Sequence, residues 1–156
     1  MQVMKNKRIL VTGGAGFIGS HLTRNLVSKG ADVTVLVKYK SIIDNVRLSS
    51  FWNNINIKEV DLRNLDSLSQ LKNQNFDIVF HLAAYNHVGD SFLHVNESLM
   101  SNAIATANLL ESGIEYGRFI YTATSEVYGF QKNVPFSENS QPFPISPYAI
   151  GKYAGE

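Results

Sequence analysis

The chain has 156 residues, 44% hydrophobic and 17% charged, with 14 Lys+Arg against 13 Asp+Glu and no cysteine. This is the composition of one soluble globular domain, not of a disordered chain, and it excludes disulfides and thiolate metal sites. A net charge of +1 provides no field to gather nucleic acid or an anionic membrane, and no stretch approaches the ~20 apolar residues of a membrane span.

The first element is a strand over Arg8 to Thr12. Lys5, Lys7 and Arg8 ahead of Ile9-Leu10-Val11 imitate the start of a signal peptide, but glycines break the apolar run that export would need, so the expected location is cytoplasmic. Next comes the glycine loop Thr12-Gly13-Gly14-Ala15-Gly16-Phe17-Ile18-Gly19. Read as Gly14-x-Gly16-x-x-Gly19 or as Gly13-x-x-Gly16-x-x-Gly19, it follows a strand and opens a helix from Phe17 to Lys29. Glycines there let the backbone turn and approach a pyrophosphate, whose charge meets the amides and the positive end of the helix. Gly13, Gly16, Phe17, Ile18 and Gly19 are therefore expected to bind a dinucleotide.

The second strand runs from Asp32 to Val37. A carboxylate at its end would hold the ribose hydroxyls of NAD, yet the chain there reads Val37-Lys38-Tyr39-Lys40, and Asp32 comes too early. Lys38 and Lys40 are candidates to neutralise the 2′-phosphate of NADP, which tilts the cofactor from NAD towards NADP. Two solvated lysines are the plain alternative. After an ill-defined helical stretch, Ser41 to Trp52, a third strand spans Asn54 to Val60. Asp61, with Leu62 behind it, is placed either to reach an adenine edge or to cap the helix Leu65 to Leu71.

A fourth strand, Asp77 to His81, leads into Leu82-Ala83-Ala84 and a segment, Tyr85 to Phe92, expected to line a substrate pocket. His81, His87 and His94 show no metal spacing, and no metal is expected. A long helix from His94 to Ser112 and a fifth strand from Arg118 to Thr122 follow. Strands alternating with helices imply an α/β fold: a Rossmann-type, doubly wound parallel sheet with helices on both faces and right-handed crossovers.

All four prolines fall between Pro135 and Pro147, so that stretch is a loop delivering the chain to a last helix. Ser146 is a good N-cap and Pro147 suits the first helical position. Tyr148 and Lys152, four apart, then share a helix face, where an ammonium favours phenolate over phenol. A tyrosine so tuned takes a proton from a sugar or alcohol hydroxyl while hydride leaves the same carbon for a nicotinamide. By itself Tyr-x-x-x-Lys is a common coincidence on solvated helices. Its value lies in standing behind a dinucleotide loop.

These motifs, with His81-Leu82-Ala83-Ala84, the run from Asn102 to Glu111, and Tyr121 to Gly129, resemble the N-terminal part of the extended short-chain dehydrogenase/reductase family, especially its NAD(P)-dependent nucleotide-sugar epimerases and dehydratases. The resemblance implies that Leu82, Ala83 and Ala84 pass close to the nicotinamide, that Asn102 is a buried structural residue, and that Thr124 is the hydroxyl partner of Tyr148. It also implies transient oxidation at sugar C4. A 4-epimerase then only returns hydride to the other face, whereas a 4,6-dehydratase needs a further acid/base group, for which Glu126 is the candidate. Thr124-Ser125-Glu126 is similar to GDP-mannose-type dehydratases and to UDP-glucuronate decarboxylases, while TDP-glucose-type dehydratases carry an acid where Ser125 stands. A 4,6-dehydratase of GDP-mannose-like type is the expected activity, with a 4-epimerase or a UDP-glucuronate decarboxylase as alternatives. The plain reading of Glu126 is a carboxylate pairing or capping on a loop. The resemblance further implies a C-terminal substrate domain, so residues 1–156 are expected to be an incomplete dinucleotide-binding domain ending within the Tyr148 helix. A homodimer through the His94 and Tyr148 helices is implied too. A non-catalytic dinucleotide-binding fragment is the alternative of another class.

Overall fold

A computed structural model describes residues 4–38, 46–132 and 134–156. Tyr39, Lys40 and residues 41–45 of the helical stretch expected from Ser41 to Trp52 lie outside the described residues. The strands are β1 (Arg8–Thr12), β2 (Asp32–Val37), β3 (Asn56–Glu59), β4 (Asn75–His81) and β5 (Glu115–Tyr121). They pair in parallel in the order β3-β2-β1-β4-β5. Crossing from β3 back through β1 and out to β5 is the layout of a Rossmann-type sheet.

β1 holds the centre because its Ile9-Leu10-Val11 run has no polar face to turn to water. Ile9 and Val11 join Val33, Val35, Val37, Leu26, Leu48 and Phe51 in one core cluster. Leu10, Leu36 and Val79, from the opposite strand faces, are equally buried. β1 and β2 match the expected bounds. β5 begins at Glu115, earlier than the expected Arg118, because Asn75 and Phe76 of β4 pair with Glu115 and Tyr116, a backbone match that needs no apolar side chain.

Helix α1 is Phe17–Ser28, one residue short of the expected Lys29, which caps it. Leu65–Leu71 is a 3₁₀ helix, and Val46–Asn54 consists of 3₁₀ turns with a kink at Phe51. Leu48, Phe51, Leu68 and Leu71 are all buried. The long helix expected from His94 consists of α2 (Val95–Leu99), a π turn (Met100–Ile104) and α3 (Ala105–Glu111). The π turn leaves backbone groups to be satisfied otherwise, and Thr106 Oγ1 donates to the Asn102 carbonyl at 2.7 Å. The last helix is α4 (Pro147–Ala154).

The chain forms two compact units. Met1–Ala83 and Asn108–Thr122 hold the sheet, α1 and both long 3₁₀ helices; Ala84–Ala107 and Ala123–Glu156 hold α2, the π turn and α4. Among the described residues no helix is long and apolar enough to cross a membrane.

Candidate active site

In the first unit, Thr12 at the end of β1 organises the glycine loop. Its Oγ1 shares a 2.7 Å hydrogen bond with His81 Nδ1 and accepts the Ala83 N–H at 3.1 Å, while its carbonyl accepts the Leu82 N–H at 3.3 Å. Leu82 and Ala83 are thereby fastened to the start of the loop. Gly13 stands at φ +67°, and a Cβ there would lie 2.8 Å from the Ala83 nitrogen, so only glycine permits this approach. A Cβ on Gly19 would lie 2.2 Å from the Gly13 carbonyl oxygen, which keeps the first turn of α1 against the loop. Gly16 caps α1 without any side-chain hydrogen bond, and the first turn holds no acid. The helix thus offers its amide end to an anion without a competing carboxylate. Phe17 and Ile18 are exposed despite being apolar. His81, buried and ringed by Phe119 and Tyr121, has a structural place.

Beyond β3, Asp61 accepts from Arg63 Nε at 2.9 Å and from Nη2 at 2.5 Å. The Arg63 side-chain hydrogen bonds hold its carboxyl at about 2 against the opposing effect of burial; the Arg63 amide and charge, and the Lys38 ammonium, add to them. Asp61 does not cap the following helix: that role falls to Asn64, whose side chain accepts the Asp66 N–H. Leu62 is buried, and its carbonyl accepts from Asn108 Nδ2 at 2.9 Å. Lys38 is exposed immediately after β2.

The second unit carries the residues expected from sequence to transfer protons. Every amide in the first turn of α4 is accounted for. Pro147 has none, Tyr148 N–H donates to Ser91 Oγ at 3.2 Å, Ala149 N–H to Ser146 Oγ at 3.1 Å, and Ile150 N–H to the Ser146 carbonyl at 2.9 Å. Ser91 in turn donates to the Val88 carbonyl at 2.6 Å, so the helix start is tied to the 85–92 segment. Tyr148 and Lys152 lie one turn apart on this single helix. Lys152 is only 3% exposed, and burial pushes its pKa down to about 8, with Glu156 opposing the shift.

α4 packs on α2 and the π turn with little room: a Cβ on Gly151 would sit 3.1 Å from Asn102 Cβ. Asn102, 1% exposed, accepts the Tyr85 N–H through Oδ1 and donates through Nδ2 to the Tyr85 carbonyl, both at 3.0 Å. The buried structural role expected of it is what the structure contains. The Tyr85 hydroxyl donates to Asp90, a bond that raises its pKa to about 12. Thr124 caps the short 3₁₀ turn Ser125–Tyr128 by accepting the Glu126 N–H at 3.3 Å, and α4 packs against that turn. Gly129 closes it at φ +56°, where a Cβ would meet the Phe143 carbonyl oxygen at 2.1 Å.

Of the residues expected from sequence, the first unit therefore gathers Gly13, Gly16, Phe17, Ile18, Gly19, Lys38, Asp61, Leu62, Leu82 and Ala83. Ala84, Thr124, Glu126, Tyr148 and Lys152 belong to the second. Two contributors have no local signal in the sequence. Ser91 meets Tyr148 across 57 positions, and Arg47 donates from Nη1 to the Ala15 carbonyl at 3.3 Å from a stretch with no clear period.

The GDP-mannose 4,6 dehydratase family model matches residues 10–156. The chain is 36% identical to the dTDP-D-glucose 4,6-dehydratase of Mus musculus and 34% identical to a UDP-glucose 4-epimerase of Cyamopsis tetragonoloba. Those matches cover 96% and 97% of this chain but 44% and 46% of the relatives, so the chain spans less than half the length of the curated relatives it matches. DesIV, the dTDP-glucose 4,6-dehydratase of Streptomyces venezuelae solved with NAD and TYD bound, superposes with a TM-score of 0.83 at 31% identity, over 95% of this chain and 49% of that one. Glycine loop, strand order, Tyr148 helix and these likenesses agree, and the chain belongs to the epimerase/dehydratase family of the extended short-chain dehydrogenases/reductases.

Proposed function

We propose that residues 1–156 are the dinucleotide-binding part of an enzyme that modifies a nucleotide sugar by transient oxidation at C4, and that the reaction is 4,6-dehydration of a GDP-mannose-like substrate. The observation that carries the reading is Lys152, a buried lysine one turn from Tyr148 on a helix whose first turn is fully capped. The glycine loop fits NAD(P): at Gly13 a side chain would collide with Ala83, and the open end of α1 suits a pyrophosphate. Gly13, Gly16, Phe17, Ile18 and Gly19 would hold it, with Leu82, Ala83 and Ala84 towards the nicotinamide and Asp61 and Leu62 towards the adenine. When bound, the nicotinamide supplies a reversible hydride acceptor.

Tyr148 accepts the C4 hydroxyl proton as the C4–H bond breaks. With a pKa of about 8, Lys152 is largely protonated at neutral pH, one turn from Tyr148 on the same helix. Thr124 hydrogen-bonds the same sugar oxygen. The C4 ketone acidifies the C5 hydrogen; Glu126 takes that proton and gives it to the C6 hydroxyl, which leaves as water. Return of the hydride to C6 with a proton to C5 would complete a net loss of one water and leave the dinucleotide oxidised again. Ser125 beside Glu126 supports GDP-mannose-like chemistry. A 4-epimerase is the second reading, favoured by the likeness to the Cyamopsis enzyme, and it requires nothing of Glu126. Exposed Ile104 and Ile150, on the π turn and on α4, support a homodimer through these helices.

The test is incubation with UDP-, GDP-, CDP- and TDP-sugars followed by mass spectrometry. Loss of one water supports dehydration, and Glu126→Gln should abolish it. Loss of carbon dioxide marks decarboxylation, and unchanged mass with altered stereochemistry marks epimerisation; either overturns the dehydratase assignment. No change with any sugar leaves a binding-only protein and overturns the enzymatic reading.

A further inference from the structure

The segment from Tyr85 to His94, which meets the start of α4, has little burial of its own. Asn86, His87, Gly89 and Asp90 are exposed, and a Cβ on Gly89 would meet nothing within 4 Å. Such a segment takes its shape from hydrogen bonds rather than from packing. At its start the Asn102 side chain holds both backbone groups of Tyr85, each at 3.0 Å. Further along, fully buried Ser91 accepts the Tyr148 N–H at 3.2 Å. The Ser91 N–H donates to the His87 carbonyl at 3.0 Å, which closes a turn within the segment but does not fasten it to the helices. The two ends are joined by the Tyr85 side chain, whose hydroxyl donates to Oδ2 of Asp90, the residue next to Ser91. The other carboxylate oxygen of Asp90, Oδ1, lies 3.7 Å from His94 Nε2, just ahead of α2. A continuous run of contacts therefore leads from the π turn through Tyr85 and Asp90 to the amide of Tyr148, all of it within the second unit.

We infer that Tyr85 and Asp90 are a pair of positioning residues, a strap that sets Ser91 under the first turn of α4 and so fixes the backbone from which the Tyr148 phenol projects. The inference rests on Tyr148 as the proton acceptor of the proposed reaction and adds the residues that place it. Solvent access gives the pair more weight in geometry than in stability. A phenol–carboxylate bond at the surface competes with water at both ends and contributes little to folding. A displacement of about 1 Å in a reacting group, by contrast, costs on the order of a hundredfold in rate. The hydrogen bond to Asp90 also pushes the Tyr85 pKa up to about 12, so its hydroxyl keeps the proton it donates through neutral and mildly alkaline pH.

Hydrogen exchange of the 156-residue chain, resolved at the Tyr148 and Ala149 amides, tests the strap without any substrate. Tyr85→Phe and Asp90→Ala should each speed exchange at Tyr148 about fivefold, the worth of one ordinary hydrogen bond. Ala149, held by Ser146, should stay within about twofold, and unfolding midpoints should hardly move. The double variant Tyr85→Phe/Asp90→Ala should be no faster at Tyr148 than either single one, since each breaks the same link. Asp90→Asn, which keeps an acceptor oxygen for the phenol, should restore most of the protection. First-turnover reduction of NAD(P)⁺ by a nucleotide sugar should fall roughly tenfold or more in Tyr85→Phe, with dinucleotide affinity unchanged. Exchange at Tyr148 indifferent to both single variants, additive effects in the double variant, or equal reduction by Tyr85→Phe and the unmodified chain overturns the inference and leaves the reading of Tyr148 intact. Faster exchange at both amides together with a lowered unfolding midpoint makes the pair a support of the fold alone, which overturns it too. An unmodified chain that reduces no dinucleotide with any sugar refutes the reading of Tyr148 and the positioning role with it.

Discussion

Lys152 is held inside the protein with a pKa near 8, against 10.5 for a solvated lysine, because burial penalises the ammonium. Between those two values the unfolded chain holds more protons than the folded one, so stability rises with pH across that window, and the cost is borne in full below it. Replacing the charge should therefore stabilise the fold at neutral pH. Lys152→Met is expected to gain up to about 3 kcal/mol there and to lose that advantage as pH approaches 10.5, read by denaturant titration at several pH values. A destabilised Lys152→Met protein at neutral pH would mean that the ammonium's own partners outweigh its burial. A lysine kept at such a cost is a sign of function rather than of packing. Gly13 makes the complementary case for backbone. Gly13→Ala places a side chain at φ +67° against Ala83, and should cost about 2 kcal/mol and weaken dinucleotide binding together. Unfolding midpoints and titrations should move in parallel; a variant that binds normally would show that the loop yields.

At the scale of elements, α4 is fixed at its first turn by two serines, one local and one remote. Ser146 was legible as an N-cap, with Pro147 behind it, because caps are read from neighbouring residues. Ser91 was not legible, since its partner amide lies 57 positions away. Ser91→Ala should leave the Tyr148 amide without its acceptor, cost about 1 kcal/mol and speed hydrogen exchange at Tyr148 more than at Ala149. Ser91→Thr should restore protection. Equal exchange at both amides in Ser91→Ala would make the contact incidental. The long helix from His94 illustrates the same limit. Its apolar spacing announced a helix, but nothing in that spacing distinguishes a π turn, which appears where Asn102 must face the Tyr85 backbone and Thr106 takes up its carbonyl. The 3₁₀ character of Leu65–Leu71 has no signal of its own, since residues three apart share a face of an α-helix as well.

For the molecule as a whole, β1 and β2 were readable to the residue because uninterrupted β-branched runs flank a glycine loop, and α1 because that loop ends where its period begins. The edges were harder to read. β5 is exposed along its first half and extends by backbone pairing, which leaves no hydrophobic pattern. Likewise, the glycine loop is legible through its motif, while the Arg47 contact to the Ala15 carbonyl is seen only in the fold. Acid sensitivity also belongs to this scale. Asp61 titrates near 2 in the fold and at 3.8 when unfolded, so the stability it confers is present above 3.8 and is lost as pH falls towards 2. Asp61→Asn should flatten that part of a melting-temperature profile; an unaltered acid limb would assign the loss to other carboxylates.

The proposed function turns on proton removal by Tyr148. Its most direct test is first-turnover reduction of NAD(P)⁺ by a nucleotide sugar, followed by nicotinamide fluorescence in the unmodified protein and in Tyr148→Phe. The account predicts reduction that the substitution abolishes, with dinucleotide affinity unchanged. Reduction of equal rate in Tyr148→Phe would contradict it.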